Sequence, residues 1–528
     1  MQIAALDLGS NSFHLVVVDA GSDGSIVPLL REKEMLRLGD VVSREGVVTQ
    51  SAQTRAIGAV RRFKALADAA GSEEMVACAT SAIREAANGG ELVDRIFAET
   101  GVRVRVLSGR DEARMIYEAV RASVLIEPGP ALCLDLGGGS LELVVGDADR
   151  MYWARSVQLG VARLTVELVR DDPPSRDDER RLRERLTGVL APMAEEVAAY
   201  APPMAVGTSG TLCALGRMVA ARRTGSAPDS VNQLTVSREE LLAVHRQIMK
   251  STSAERSRLP GLDARRVDLM PAGSMLLVTA MELFGLDDLT LSDWALREGI
   301  ILDAIARHDP GELSRDRRDI RRASVLQLAR RCGWDEEHGR QVARIATALF
   351  DQTRQIHGLG ADDRDLLDYA GLLHDIGQHI SSESHHKHTA YLVQHGRLRG
   401  FDPEEIDALA ALARYHRRSE PKMSHEPFAS LSPERRERVT LLAGILRVAD
   451  GLDYGHTGSV EDVEVEADDT TVRVWTRASD DIEIELWGAR RKRTLMERTL
   501  GRRLEFRTLG PAGRSGHARA ATNGRAAA

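Results

Sequence analysis

The sequence predicts a duplicated α/β fold, followed by an all-helical region and a small C-terminal region that contains β-strands. The main observation is that two distant segments read alike. DLGSNS at 7–12 and DLGGGS at 135–140 each follow one apolar strand and precede another. One such hairpin is weak evidence, because Asp–Gly turns join many ordinary strands. Two of them indicate a repeated fold, and their Gly-rich turns let backbone N–H groups approach a phosphate closely. We therefore expect a phosphate to bind between the two halves.

The first half, to about residue 124, alternates helices and strands. A helix is predicted at 52–69, where apolar residues recur at helical spacing, and strands are predicted at 75–79 and 102–107. A Pro- and Gly-rich break at 126–130 precedes the second Gly loop. This alternation of helices and strands is typical of an α/β domain.

The second half, to about residue 308, continues the same alternation. It contains a predicted helix at 177–199, a predicted strand at 204–206 and the turn GTSGT at 207–211. The segment 308–322 is charged and contains Pro and Gly, which is typical of a linker. We therefore expect the second α/β half to end before this segment.

The hydrophobic pattern changes twice beyond the linker. It is helical to about residue 452 and then alternates at 463–465, 472–475 and 482–486, which predicts three short strands. The final Gly-, Ala- and Arg-rich tail has no periodicity, which predicts disorder. The predicted domains are therefore 1–124, 125–308, 309–456 and 457–509, with the tail at 510–528.

Composition restricts the class of protein. The chain has 528 residues, 43% of them hydrophobic, and a formal net charge of −8, so several domains are expected and bulk binding of nucleic acid is not. No stretch approaches the roughly 20 apolar residues that span a bilayer, and no targeting segment is visible. Cys78, Cys133, Cys213 and Cys332 are scattered without metal-type spacing, which predicts reduced core thiols in a cytoplasmic protein.

Two strand-to-helix junctions between the Gly loops carry further candidate residues. In ATSAIREA at 79–86, the helix N-terminus favours anions and Arg84 lies one turn into the helix. In SGRDEAR at 108–114, Glu112 lies near a helix start, where acidic residues are common. Taken alone, each residue is more often structural. Because both lie beside two phosphate loops, Arg84 is interpreted as a residue that binds the phosphate and Glu112 as a general base for water.

Taken together, five segments in this order resemble the exopolyphosphatase/guanosine pentaphosphatase (Ppx/GppA) family: DLGSNS, ATSAIREA, SGRDEAR, DLGGGS and GTSGT. The resemblance covers at least 1–305 and implies two actin-like (ribonuclease H-like) lobes. It also implies a phosphoanhydride hydrolase that depends on Mg²⁺ or Mn²⁺. The expected reaction is the release of terminal orthophosphate from inorganic polyphosphate, with neither nucleic acid nor a membrane as partner.

The resemblance also implies roles for individual residues. Glu112 would activate water with help from Glu142, and Arg84 would bind the terminal phosphate. Asp135 would hold the metal ion, with Asp7 as a second candidate ligand. The residues expected to cradle the substrate are Ser10, Asn11, Gly137, Gly138, Gly139, Ser140, Ser209, Gly210 and Thr211.

Two alternative functions stay open at this level. The same site could remove the 5′ γ-phosphate of guanosine pentaphosphate, or the protein could be a regulator that binds an alarmone or nucleotide without turnover. The intact Glu112, Glu142 and Arg84 favour an enzyme, because a sensor has no need of a residue that activates water.

The helical region carries a second candidate site. His338, the dipeptide His374-Asp375 and Asp450 occur in the order found in metal-dependent HD phosphohydrolases, which this region resembles. The resemblance implies an HD-type domain. It leaves open whether these residues hold an additional divalent metal ion. Imidazole and carboxylate ligands together would suit Mn²⁺, Fe²⁺ or Zn²⁺.

Further histidines surround this set. His388 and His416 are predicted to bind a second cation, whereas His379, His385 and His386 are interpreted as surface or packing residues. Long members of the family often pair through such domains, so by analogy we expect a homodimer.

Overall fold

The computed structural model describes residues 1–20, 26–308, 320–478 and 481–509. These residues form two compact units. The first unit consists of the described residues of 1–323 together with 399–403, and the second of those of 324–398 together with 404–509.

The first unit is an α/β structure. Its strands are β1 (Gln2–Leu8), β2 (Ser12–Ala20), β3 (Ile26–Met35), β4 (Glu74–Ala79), β5 (Val104–Val106), β6 (Ala131–Leu136), β7 (Leu141–Gly146), β8 (Met151–Val157), β9 (Met204–Thr208), β10 (Thr235–Ser237) and β11 (Asp288–Leu291). Its helices are α1 (Leu38–Glu45), α2 (Gln50–Ala69), α3 (Ser81–Glu85), α4 (Gly89–Thr100), α5 (Gly109–Arg121), α6 (Val161–Leu168), α7 (Arg176–Ala198), α8 (Gly210–Thr224), α9 (Arg238–Lys250), α10 (Ser253–Arg256), α11 (Met270–Leu283) and α12 (Leu296–His308), with a 3₁₀ turn at Ala264–Arg266.

Two mixed sheets of similar design form the centre of this unit. Their strand orders are β3-β2-β1-β4-β5 and β10-β11-β9-β6-β7-β8. Each sheet begins with three consecutive antiparallel strands, β1–β2–β3 in the first and β6–β7–β8 in the second. A later strand then pairs parallel with the first of the three: β4 with β1, and β9 with β6. The repeat confirms the predicted duplication and places the two Gly loops at the ends of corresponding strands.

A shared core joins the two sheets. Ile3 and Ala5 of β1 and Ala131 and Cys133 of β6 belong to one buried cluster, together with Ile300 of α12. Helix α12 thus returns from the second half of this unit to the first, where it packs against α5 and β1. Because close-packed cores resist deformation, this cluster fixes the two Gly loops relative to one another.

The second unit is helical with one small sheet. Its helices are α13 (Ile320–Arg331), whose first residues belong to the first unit, α14 (Glu336–His357), α15 (Ala361–Leu373), α16 (His385–His395), α17 (Pro403–Tyr415), α18 (Glu426–Ala429), α19 (Pro433–Gly451), α20 (Glu483–Lys492) and α21 (Thr494–Leu500), with a 3₁₀ turn at Ile376–His379. Its strands are β12 (Val460–Ala467), β13 (Thr471–Ala478) and β14 (Arg503–Thr508). The central strand β13 pairs antiparallel with β12 and parallel with β14.

One predicted strand is wrong. The alternation at 482–486 fits a strand, but these residues lead into and begin α20. Leu486 and Ala489 are buried in α20, which packs against α19, and a β-carbon on Gly451 of α19 would lie 2.8 Å from the Ala489 Cα. Packing against α19 therefore overrides the local strand pattern. The third strand of the sheet is β14 instead.

The other structural predictions mostly hold. The helices predicted at 52–69 and 177–199 are confirmed with small shifts at their ends, and so are the first two strands predicted after residue 457. All four cysteines are free and buried. Among the described residues, no helix is both long and apolar enough to cross a bilayer. The predicted linker lies largely, and the predicted tail wholly, outside the described residues, and the predicted domain boundaries stay predictions.

Candidate active site

The two Gly loops meet in the first unit. A β-carbon on Gly138 would lie 3.1 Å from the Asn11 Cβ, and one on Gly139 would lie 2.5 Å from the Ser81 Oγ and 2.6 Å from the Ser10 Oγ. The loops therefore touch at positions where a larger side chain does not fit. This contact brings the ends of β1 and β6 and the start of α3 together, and the space around them is called the cleft below.

The carbonyl groups of the first loop are bound from one side. The Ser10 carbonyl accepts from the Gly39 N–H at 2.8 Å, and the Asn11 carbonyl accepts from the Arg37 N–H at 2.9 Å. Across a trans peptide, a carbonyl and the N–H of the next residue point in opposite directions. The N–H groups of Asn11 and Ser12 are therefore turned to the other side, where they can donate to an anion.

The second loop repeats this arrangement with the start of α6. The N–H groups at 160–162 donate to the carbonyls at 137–139 over 3.0–3.2 Å. These bonds satisfy N–H groups that a helix start otherwise leaves free. By the same peptide geometry, the N–H groups at 138–140 are turned to the other side. Each half thus offers a row of N–H donors to a phosphate.

The support of the second loop by α6 requires a glycine at residue 160. A β-carbon on Gly160 would overlap the backbone of Gly138 and Gly139. We expect Gly160→Ala to lower the free energy of unfolding by about 1–3 kcal/mol, because backbone atoms must move to admit the methyl group. Urea unfolding measures this change. Gly188→Ala in α7 is the matched control, since no atom lies within 4 Å of its new β-carbon, and equal losses in the two variants would contradict the explanation.

Arg84, which is partly exposed, and the buried Glu112 form an ion pair at this cleft. Arg84 Nη1 donates to Glu112 Oε2 and to the Leu107 carbonyl, both at 2.7 Å. Glu112 lies in the first turn of α5 and is 5% exposed. Burial raises the pKa of Glu112, and Arg84 partly offsets that effect. A carboxylate with a raised pKa binds a proton more readily than an exposed one, as a base for water must.

Glu142 and Asp135 are cross-strand partners in the β6–β7 hairpin. Ser156 Oγ donates to Glu142 Oε1 at 2.8 Å, and the Ser140 side chain also hydrogen-bonds to Glu142. Burial raises the pKa of Glu142 well above its ordinary value, and the negative charges of Glu112 and Asp135 raise it further. Carboxyl groups from α5, β6 and β7 therefore share one buried site.

Asp7 and Asp135 fit the role of metal ligands. Burial raises the pKa of each to about 7, the charge of Glu112 adds to the effect, and Arg297 partly offsets it. Asp7 Oδ1 is buried and has no hydrogen-bond partner among the described residues. A divalent cation would supply that partner and reduce the repulsion between the carboxylates. Within the described parts of the cleft, no three carboxylate or imidazole donors lie within 4.8 Å of one another. A cation there would keep several waters, as Mg²⁺ commonly does.

His14 is a cleft residue that the sequence patterns did not single out. It is the cross-strand partner of Asp7 in β1–β2, as Glu142 is of Asp135 in β6–β7. Its Nδ1 lies 3.3 Å from Arg297 Nη1. Burial, then Arg297 and other nearby cations, lower the His14 pKa well below its ordinary value, so the neutral ring accepts a hydrogen bond from Arg297. The sequence signal for His14 is its position in the first Gly-loop segment, which corresponds to that of Glu142 in the second.

A cavity of about 210 Å³ lies at the start of α8. Its lining includes Ser209, Gly210 and the side chains of Arg217, Arg266 and Arg297. The Ser209 backbone has a φ of 95°, a conformation that is costly for any residue except glycine. Such strain is most often retained at binding sites, so the predicted role of Ser209 and Gly210 in binding a substrate gains support.

Thr211 is placed differently from these two residues. It is 1% exposed, and a β-carbon on Gly273 of α11 would lie 2.5 Å from its Cγ2. Ser209 Oγ accepts hydrogen bonds from the N–H groups of Thr211 and Leu212 at 3.3 and 3.4 Å. Thr211 therefore packs between α8 and α11 and contributes to the cap of α8, whereas Ser209 and Gly210 line the cavity.

An ion pair joins the two halves beside the second loop. Arg163 of α6 pairs with Glu85 of α3, and Ser81 Oγ donates to Glu85 Oε1 at 2.5 Å. Arg163 Nε also lies 3.5 Å from the Gly139 carbonyl oxygen. The partly buried Arg163 and Glu85 side chains therefore connect α3, which donates to Ser10 of the first loop, with α6, which donates to the carbonyls of the second loop.

The second candidate site lies within the second unit. His338 of α14, His374 after α15 and Asp450 of α19 converge, with one donor atom of each within 4.8 Å of the others. Asp375, the fourth predicted residue, belongs to a neighbouring group of the same kind. Asp375 also forms a group with His338 and His456, so the predicted residues lie in overlapping groups.

The neighbouring group differs from the sequence-based expectation. Asp375 is joined there by His385 and His416, and His388 does not take part. His385 begins α16, whereas His388 lies almost one turn further along. His385 was interpreted as a packing residue, but it holds the place predicted for His388, because its Nε2 reaches the His416 Nε2 at 3.2 Å.

Comparisons with known protein families cover both units. The Ppx/GppA phosphatase family matches residues 16–308, and Ppx/GppA phosphatase, domain III, matches residues 320–482. The helical region therefore corresponds to domain III of this family, and its HD-type assignment stays a prediction.

Individual relatives agree with this result. Exopolyphosphatase 1 of Mycobacterium leprae and that of Mycobacterium tuberculosis are each 36% identical to this chain over 304 residues, which cover 57% of this chain and 89% and 88% of the relatives. Among solved structures, an exopolyphosphatase from Cytophaga hutchinsonii is similar with 28% identity and a TM-score of 0.55, over 58% of this chain and 98% of that one. A Ppx/GppA family member from Aquifex aeolicus is similar with 28% identity and a TM-score of 0.51, over 58% and 99%. The chain belongs to the Ppx/GppA phosphatase family.

Proposed function

We propose that this protein is an exopolyphosphatase, which hydrolyses the terminal phosphoanhydride bond of inorganic polyphosphate. The observation that carries the proposal is the partly buried Arg84–Glu112 pair beside two loops whose N–H groups face one cleft. The similar proteins named exopolyphosphatase, which the chain matches over most of their length, support the same reaction.

The terminal phosphate binds between the two loops. The N–H groups at 11–12 and 138–140 donate to its oxygens. Arg84 uses Nη1 for Glu112 and Leu107, so its other N–H groups can donate to the same phosphate. These donors neutralise the oxygens that carry charge in the transition state, which is the main requirement of phosphoryl transfer.

Glu112 takes a proton from the water that attacks the terminal phosphorus. A new P–O bond forms in line with the bridging P–O bond, which breaks, and its electron pair leaves with the shortened chain. Glu142, held by Ser156, orients the attacking water. Burial raises the pKa of Glu112, so this carboxylate is a stronger base than an exposed glutamate.

Asp135 and Asp7 would hold a hydrated Mg²⁺ or Mn²⁺ ion beside the phosphate. When bound, such an ion supplies positive charge to the phosphoryl oxygens. The unpartnered Asp7 Oδ1 and the raised pKa of both carboxyl groups support this assignment, because each indicates negative charge that the protein alone leaves uncompensated.

The remaining phosphates of the polyphosphate bind a group of cationic side chains around His14. Lys33 is the cross-strand partner of His14, and Arg297 Nη1 lies 3.3 Å from His14 Nδ1. Arg266 lines the same cavity as Arg297. Burial, then Arg266 and Arg265, lower the Lys33 pKa to about 8. A bound polyanion offsets the repulsion among these cations, so we propose that they attract and hold the phosphates behind the scissile bond.

The proposal is tested by Mg²⁺-dependent orthophosphate release from long-chain polyphosphate and from guanosine pentaphosphate, measured side by side. We expect faster release from polyphosphate, because the site offers cations and N–H donors along a chain of phosphates. Glu112→Gln serves as the inactive control and shows that the release comes from this cleft.

Other outcomes of this assay select the alternatives. A preference for guanosine pentaphosphate would make the protein a 5′-phosphohydrolase of that nucleotide. Tight binding of either compound without release would support a regulator that binds an alarmone or nucleotide. The presence of both Glu112 and Arg84 in one ion pair argues for turnover, because a binding protein has no use for a base at the phosphate.

The proposal extends to a homodimeric enzyme in the cytoplasm that acts on neither nucleic acid nor membranes. The formal net charge of −8 and the reduced, buried cysteines agree with it. Sedimentation equilibrium of the full chain tests the dimer, and a monomer at micromolar concentration would contradict it.

A further inference from the structure

We infer that Arg297 and His14 fix the Ser12 hydroxyl as a hydrogen-bond donor to the phosphate next to the terminal one. Ser12 contacts the substrate, and His14 and Arg297 are positioning residues that act through Ser12. All three belong to the first unit, Ser12 and His14 in β2 and Arg297 in α12. The inference rests on the proposed function and assigns it a side-chain donor that the Gly loops do not provide.

Two contacts of the His14 ring determine which of its nitrogens carries the proton. Nδ1 lies 3.3 Å from Arg297 Nη1, and Nε2 lies 2.8 Å from Ser12 Oγ. A guanidinium donates hydrogen bonds and cannot accept them, so Nδ1 accepts from Arg297. The proton of the neutral ring is then on Nε2, which donates to Ser12 Oγ.

The Ser12 hydroxyl therefore accepts from His14 and keeps its own hydrogen for another group. Among the described residues, His14 is the only hydrogen-bond partner of Ser12 Oγ. Ser12 is 7% exposed. A hydroxyl at such a buried position normally has an acceptor for its hydrogen, and a phosphate oxygen in the cleft provides one.

The position of Ser12 selects the phosphate that it contacts. Side chains two residues apart in a strand lie on the same face, so Ser12 shares the face of His14 and of its cross-strand partner Asp7 in the cleft. On one side of Ser12, Asn11 belongs to the loop that binds the terminal phosphate. On the other side, the cations around His14 hold the remaining phosphates. The Ser12 hydroxyl lies between them, at the phosphate that follows the scissile bond.

The equivalent serine of the second hairpin is hydrogen-bonded in the opposite direction. Ser140 corresponds to Ser12, and Glu142 to His14. The Ser140 side chain hydrogen-bonds to Glu142, and an ionised carboxylate only accepts. Ser140 thus gives its hydrogen to Glu142 and keeps lone pairs for the attacking water, which donates. Ser12 keeps a hydrogen for a phosphate oxygen, which accepts.

A second serine–histidine pair in the same unit shows what a structural pair looks like. His245 Nδ1 of α9 lies 3.0 Å from Ser274 Oγ of α11, and Ser274 Oγ also donates to the Pro271 carbonyl at 3.2 Å. This hydroxyl has both a histidine and a protein acceptor, so it only joins two helices. The Ser12 hydroxyl has the histidine but, within the described parts of the chain, no such carbonyl.

A double-variant cycle in the full chain tests the inference. Ser12→Ala removes the hydroxyl, and His14→Leu removes the ring that orients it. We expect each change to lower kcat/KM for polyphosphate about 10- to 100-fold, the usual contribution of a hydrogen bond to a charged group. The double variant should lose little more than Ser12→Ala alone, because His14 acts through Ser12. His14→Gln should recover most of the loss seen in His14→Leu, since an amide both accepts and donates.

Ser274→Ala is the matched control. It removes the hydroxyl of the structural pair, which belongs neither to the Gly loops nor to the lining of the cavity, and should keep the wild-type kcat/KM. Circular dichroism checks that each variant folds. Losses that multiply in the double variant would overturn the inference, as would near-normal activity of Ser12→Ala. A His14→Gln protein no more active than His14→Leu would overturn it as well.

A measurement without turnover separates this inference from the proposed function. Calorimetric titration of tripolyphosphate in Mg²⁺ into the Glu112→Gln protein repeats the same cycle on affinity. If the wild type releases no orthophosphate, the proposed function fails, but coupled losses of affinity on changing Ser12 and His14 would still support the inference. If the wild type is active and the losses multiply, or tripolyphosphate does not bind, the inference alone fails.

Discussion

Replacement of Glu112 by glutamine is expected to lower kcat for orthophosphate release by about 10²- to 10⁴-fold, the usual contribution of a general base. Glutamine keeps the size of the side chain and an oxygen for Arg84 Nη1, which now donates at 2.7 Å. It has no site that accepts the proton of the attacking water. We therefore expect KM for polyphosphate to change only a few-fold. Initial rates over a range of polyphosphate concentrations separate these two effects.

Asp111→Asn is the matched control for this variant. Asp111 precedes Glu112 in the same turn of α5 but is exposed, and its side chain contacts Ser108 Oγ at the helix cap. Asparagine preserves that contact, so kcat should stay near the wild-type value. A near-normal rate in Glu112→Gln would remove Glu112 as the base. A large increase in KM with an unchanged kcat would instead assign Glu112 to substrate binding.

Replacement of Asp135 by asparagine is expected to have opposite effects on activity and on stability. Activity should fall by at least about 10²-fold and respond less to Mg²⁺, because a charged ligand of the ion is lost. The metal-free protein should become more stable. Burial is the main cause that raises the Asp135 pKa from 3.8 to about 7, so its charged form costs the folded state at most about 4 kcal/mol. Asparagine carries no such charge.

The sign of this effect depends on pH. A carboxyl group whose pKa is raised on folding begins to destabilise the native state where the unfolded group loses its proton, and the loss is complete above the pKa of the folded group. In EDTA the gain from Asp135→Asn should be absent below about pH 3.8, grow as the pH rises, and be complete above about pH 7. Thermal unfolding at pH 5 and pH 8 measures it.

The exposed Asp149 provides the control, since Asp149→Asn should change little at either pH. Addition of Mg²⁺ should stabilise the wild type more than Asp135→Asn, because the ion binds the native state. Equal Mg²⁺ stabilisation of both proteins would remove Asp135 from the metal site. If the Asp135→Asn variant is less stable than the wild type in EDTA at pH 8, then neighbouring groups compensate the negative charge of Asp135 in the metal-free protein.

Local sequence signals predicted the parts of the cleft that short segments build. Asp7 and Asp135 end apolar strands, and the Gly-rich turns after them need backbone that only small residues allow. Arg84 and Glu112 each lie in the first turns of a helix that follows a strand, and the structure brings them to 2.7 Å. The duplicated topology then places both loops at one cleft, which the similarity of the two segments already indicated.

Long-range contacts explain what the sequence did not predict. His14 meets Arg297, which lies 283 residues further along the chain, so no local pattern connects them. Residues 482–486, predicted as a strand, lead into and begin α20 instead, because α20 packs against α19. Periodicity alone does not reveal that packing. His385 and His388 are equally plausible as ligands in the sequence, and only the place where α16 begins distinguishes them.

The difference between His14 and Glu142 gives the cleft a direction. Both residues hold the same position in two similar hairpins, but one is a neutral ring beside Arg297 and the other an acid beside Glu112. A linear polyphosphate has two identical ends and carries no polarity of its own. If the two hairpins also carried identical side chains, either side of the cleft could receive the end of the polymer. The divergence at this pair of positions, together with Glu112 on one side and Arg297 on the other, distinguishes the side of the cleft that cuts the terminal phosphate from the side that holds the remaining phosphates.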